Sequence, residues 1–100
     1  MAVTTHDRPG TVGDVTFTIQ VFQEGKLFVA YAPELDVSSV GETVEKAKAH
    51  LLEAVETFFE EAQRLGTLTE ILEEAGYERT AEGWKAPDLL AQERARVTLP

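Results

Sequence analysis

The chain has 100 residues, no cysteine, 18 acidic against nine basic side chains, and a formal net charge of −9 at pH 7. A length of this order fits one domain with a two-layer core and excludes a deep enclosed pocket. The missing cysteines exclude a disulfide framework, a thiolate nucleophile and thiolate metal ligation, and the acidic balance disfavours phosphate binding, which needs clustered Lys and Arg.

No apolar run approaches the roughly 18 residues that span a bilayer, and Met1–Gly10 lacks the apolar core of a signal peptide. The expectation is a cytoplasmic protein that binds neither membrane nor nucleic acid directly. The charge is uneven. Residues 1–33 balance at −1, residues 34–76 at −8, and residues 77–100 at zero. Such an acidic middle is either a solvated face or a surface that attracts a basic partner.

Residues 1–13 contain Pro9, Gly10 and Gly13 and are expected to be a flexible lead-in to a single domain over 14–100. From Asp14, the residues Val15, Phe17, Ile19 and Val21 alternate with Thr16, Thr18, Gln20 and Phe22, the period of a strand with one buried face. Gln23–Lys26 supplies a turn containing Gly25, and Leu27–Ala32 resumes the strand pattern, so an antiparallel hairpin is expected. Pro33 ends the second strand. Val37–Val40 then reads as a short third strand at an edge.

Thr43–Leu65 is the most strongly periodic stretch. Val44, Ala47, Leu51, Val55, Phe58, Ala62 and Leu65 recur at steps of three and four, with Leu52 and Phe59 widening the stripe. The spacing predicts a long helix lying on a sheet, with Thr43 as N-cap, a Glu60–Arg64 surface pair and Gly66 at its end. Thr67–Glu70 has the capping-box pattern of a second, short helix that Gly76 stops. Tyr77–Arg79 and Gly83–Lys85 fit a small hairpin. A final strand is expected over roughly 93–99, with a short helix over Leu89–Arg94 as the alternative for its front half. The fold class is therefore α+β: an antiparallel hairpin plus third strand, one long helix on the sheet, a short second helix and a β-rich tail.

No catalytic constellation emerges. His6 falls in the lead-in and His50 on the polar side of the long helix, and His-x-x-Glu alone lacks the converging ligands that zinc requires. Ser38 and Ser39 have no Gly-x-Ser-x-Gly elbow around them. The acidic residues do not project from adjacent strands toward one point, as two-metal hydrolysis needs. Trp84 and Tyr77 read as packing residues rather than a base-stacking platform. The expectation is a protein without catalytic residues, metal or cofactor. Its partner-binding residues are sought among exposed polar positions near the third strand and the first turn, namely Glu24, Glu34, Asp36, Ser38 and Ser39.

The order of elements, with Phe28-Val-Ala-Tyr31, Pro33-Glu-Leu35 and Gly41-Glu-Thr-Val-Glu45 followed by Ala47, Ala49 and Ala54, resembles the HicB family of antitoxins over residues 15–62. Many of that family continue the turn with Pro-Gly-Cys, where this chain has Asp36-Val-Ser-Ser39. Arg96–Pro100 is similar to the opening strand of a ribbon-helix-helix, but no helix follows it, so a chain without the DNA-binding module is expected. The resemblance implies a partial ribonuclease-H-like sheet with no nuclease centre. It also implies binding and neutralisation of a small basic HicA-type toxin that cleaves mRNA. Residues 67–100 lie beyond the resemblance and are expected to serve oligomerisation or partner contact. A homo-oligomer is expected because exposed strand edges need pairing or protection. The competing expectation is a free-standing homo-oligomeric structural or small-ligand-binding domain with no toxin partner.

Overall fold

The computed structural model describes residues 13–100, so the expected lead-in lies, apart from Gly13, outside the described residues. The chain is α+β, with two helices and two small sheets among the described residues. β2 (Gln20–Glu24), β3 (Leu27–Ala32) and β4 (Val37–Gly41) form an antiparallel meander, in the order β2-β3-β4. β1 (Asp14–Val15), β5 (Glu78–Arg79) and β6 (Gly83–Lys85) form the second sheet, with β6 in the middle, parallel to β1 and antiparallel to β5. Helix α1 (Val44–Leu65) lies mainly over β3 and β4, and α2 (Leu68–Glu74) leads from it into the second sheet.

The alternation from Val15 to Val21 is real, but the expected continuous strand is not. Val15, Phe17, Ile19 and Val21 all pack on the core. The backbone between them crosses from one sheet to the other, and residues 16–19 pair with neither. Side chains take over what a ladder would supply. The Thr18 N–H donates to Glu34 Oε1 at 3.0 Å and its hydroxyl to Oε2 at 2.7 Å, while the Tyr77 hydroxyl donates to the Thr16 carbonyl at 2.6 Å. Polar groups that leave a sheet under cover need such partners.

The hairpin turns through Gly25 and Lys26, with Gly25 at φ 63° and Glu24 opposite Leu27. After β3 the backbone N–H groups of Leu35 and Asp36 both return to the Ala32 carbonyl, and Asp36 sits at φ 55°. Asp is among the few residues that tolerate this left-handed region. Its carboxylate accepts the Tyr31 hydroxyl at 2.9 Å.

Helix α1 begins as the spacing predicts. Thr43 Oγ1 accepts the Lys46 N–H at 3.0 Å, and Gly66 ends the helix in the left-handed region at φ 77°. Ala47, Leu51, Val55 and Ala62 are buried against the sheet, with Phe59 packed alongside. Val44, Leu52 and Leu65, expected in the apolar stripe, are exposed. The helix overhangs a sheet of only three strands, and among the described residues these three side chains meet little cover. Arg64 pairs with Glu61, three residues back, rather than with Glu60. The expected second capping box does not form. Thr67 has a helical backbone and its hydroxyl donates to the Ala62 carbonyl at 3.4 Å instead, because the tight exit from α1 leaves no extended residue before α2.

Leu68 and Leu72 bury the inner face of α2, and Tyr77 and Trp84 are buried where the second sheet meets the core. The Arg79 guanidinium lies 5.7 Å above the Trp84 ring. The final strand expected over 93–99 is not formed, and neither is the alternative helix. Residues 86–100 belong to no helix or strand, and all from Pro87 onward are exposed. A strand pattern needs a partner edge, and among the described residues this segment pairs with none.

Candidate protein-binding surface

Alternation along the three-stranded sheet divides its side chains between two faces. The inner face, toward α1, carries Val21, Phe28, Ala30, Ala32 and Val37, all in the core. The outer face carries Gln20, Phe22, Leu27, Val29, Tyr31, Ser38 and Val40 by the same alternation, and none of these belongs to the core cluster. Phe22 stands opposite Val29, and Val29 opposite Val40. The three form one apolar row across all three strands, with neighbours about 5 Å apart. Phe22 is 45% and Val40 51% exposed, and Leu27, beside this row, is 45% exposed. Among the described residues no element covers this face. A contiguous apolar patch open to water marks a contact surface more often than a scattered exposed Leu does.

The five residues expected to bind a partner separate. Glu24 is exposed at the end of β2, on the same side as Phe22. Ser38 lies on the outer face opposite Tyr31, and Asp36 joins that face through the Tyr31 hydroxyl. These three rim the apolar row. Glu34 is placed elsewhere, with both carboxylate oxygens engaged by Thr18. Ser39, opposite Ala30, lies on the inner face. The two serines point to opposite sides of one strand.

The apolar residues at the centre of the patch were not among the expected ones. A signal for them exists in the sequence. Phe22 falls on the polar parity of its strand, and Leu27-Phe28-Val29 is three apolar residues in a row, which leaves apolar side chains on both faces.

His50, expected on the polar side of the helix, reaches back to β4. Its Nδ1 lies 2.7 Å from the Val40 carbonyl, at the outer edge of that strand. A contact of that length makes Nδ1 the protonated nitrogen, since the carbonyl only accepts. Among the described residues no group of three or more His, Asp or Glu side chains is placed to hold a metal ion. None of the helices among the described residues is long and apolar enough to cross a membrane.

The electrostatics of the patch are mild. The Tyr31 phenol is raised above its ordinary value, first by donating to Asp36, then by partial desolvation and the Asp36 charge. It is therefore a neutral donor at physiological pH. The rim is acidic and hydrogen-bonding, and the centre is apolar. Compared with known proteins, the chain matches no family model, no curated protein and no solved structure.

Proposed function

We propose that the chain is an antitoxin-like binding protein, without chemistry of its own, that neutralises a small basic HicA-type mRNA-cleaving toxin through the outer face of its three-stranded sheet. The observation that carries this reading is the open Phe22–Val29–Val40 row, rimmed by Glu24, Asp36 and Ser38. Apolar centres with a polar rim are the general anatomy of protein–protein contacts. The charge supports a basic partner at long range: residues 34–76 carry a balance of −8, most of it on the helices behind the sheet, with Glu24 and Asp36 at the face itself, and complementary charge speeds encounter and opposes wrong pairings. The partner class rests on the resemblance of residues 15–62 to the HicB family.

The test is co-expression with a small basic protein encoded beside it. Growth rescue and a stable complex are expected from the wild type, and neither from a Phe22→Lys/Val40→Lys variant. A toxic neighbour that the wild type neither binds nor neutralises would overturn the reading. The second reading, a homo-oligomeric structural or small-ligand-binding domain with no toxin partner, draws on the exposed strand-like segment at 93–99. A defined oligomer isolated from the native cell with no bound protein would favour it.

A further inference from the structure

We propose that the C-terminal arm, residues 93–99, adds as a fourth strand to the open β2 edge of a second copy of this chain. The arm has a strand's pattern and, among the described residues, no strand's partner. Ala95, Val97 and Leu99 alternate with Arg94, Arg96 and Thr98, and Val97 and Leu99 are 83% and 87% exposed. An extended segment with one apolar side gains little in water until a sheet edge satisfies its backbone and covers that side.

The two edges of the meander differ. At β4, the His50 ring occupies the Val40 carbonyl, and α1 packs closely along the strand. At β2, among the described residues, nothing pairs on the side away from β3. β2 is thus the receptive edge.

The arm also leaves the body beside that edge. Gln20 Nε2 donates to Gln92 Oε1 at 3.4 Å, at the start of β2. The eight residues from Glu93 to Pro100 extend about 26 Å at roughly 3.3 Å each, and neighbouring strands stand only about 4.8 Å apart. Two β2 edges brought together about a two-fold axis are within reach of each other's arms. Reciprocal exchange closes the assembly at two copies.

Charge favours a second copy as the occupant. The arm carries Arg94 and Arg96 against Glu93, whereas α1 carries Glu45, Glu53, Glu56, Glu60 and Glu61 against Lys46, Lys48 and Arg64. With Val97 opposite Phe22, the apolar row of the outer face gains a fourth member. Arg94, Arg96 and Thr98 then turn to the side of the sheet that holds the acidic helix.

The proposal stands apart from the toxin and is tested without one. The full chain, measured alone by light scattering over a hundredfold concentration range, is expected to be a dimer. A Val97→Asp/Leu99→Asp variant, both sites being exposed in the single chain, is expected to keep its far-ultraviolet circular dichroism and to dissociate at least about tenfold more readily. The chain has no cysteine, so Phe22→Cys in one chain and Val97→Cys in a differently tagged chain report the contact. A disulfide between the two tagged chains is the expected result. A monomer at every concentration, a dimer unmoved by the aspartates, or crosslinks formed only between two chains that both carry Val97→Cys would each overturn the proposal.

Discussion

Gly41 sets the distance between β4 and α1. A Cβ built on it would stand 2.4 Å from the Ala47 backbone nitrogen and 2.8 Å from its Cα. Those are backbone atoms of a helix and cannot step aside as a flexible side chain would. Gly41→Ala is expected to cost about 1–3 kcal/mol or more, as overpacking does, measured as a lower midpoint in urea. Its neighbour in the resemblance, Thr43, is a separable feature: Thr43→Ala loses one cap bond and about 1 kcal/mol. Glu34 is a structural residue that the sequence presents as one more exposed acid in a turn. Its partner, Thr18, lies sixteen residues away, so no local pattern announces the pair. Tyr77 gives a pH signature. Burial first, and the Glu34 charge second, push its phenol from 10.0 up to about 12. Between those values the unfolded chain has released a proton that the folded chain keeps, so stability falls as pH rises through that window. The difference in urea midpoint between wild type and Tyr77→Phe is expected to shrink from about pH 9 to about pH 11.5. A pH-independent difference would place the ionisation elsewhere.

At the scale of elements, the parts legible in the sequence are those whose signal is local. Helix α1 states its own ends, with Thr43 at the start and Gly66 at the close, and its 3.6-residue period fixes the face that holds Ala47, Leu51 and Val55. Leu51→Ala, at a fully buried position, is expected to cost about 2–5 kcal/mol, read as a lower urea midpoint. The meander is equally legible, because a two-residue turn at Gly25 and a proline at 33 bound its strands. What periodicity could not supply is pairing. The same alternation runs through β1, the unpaired 16–19 segment and β2, since side-chain parity follows the core while hydrogen bonding follows whichever edge lies alongside. The arm at 93–99 fails for the same reason in reverse: its pattern is that of a strand, and among the described residues no edge pairs with it. The candidate surface was half legible. Glu24, Asp36 and Ser38 do rim it, but exposed polar residues were sought where the centre is apolar, and Phe22 and Val40 became visible only once strand register put them in one row.

Among the described residues the molecule is two-layered, with α1 over one side of the meander and no helix or strand over the other. Its acid is concentrated in the middle of the chain, residues 34–76. Val40 on the open face lies outside the core cluster and away from the β2 edge, so Val40→Lys is expected to change stability by no more than about 0.5 kcal/mol. That separation of folding from binding makes the central claim testable by affinity alone. The most direct measurement is the binding of the purified chain to whatever small basic protein is encoded beside it, as association rate and dissociation constant, taken at low and high salt for the wild type and Val40→Lys. The predicted result is a wild-type complex whose association rate falls as salt rises, and whose dissociation constant is raised at least about tenfold by Val40→Lys. Equal affinity for the two chains would contradict it.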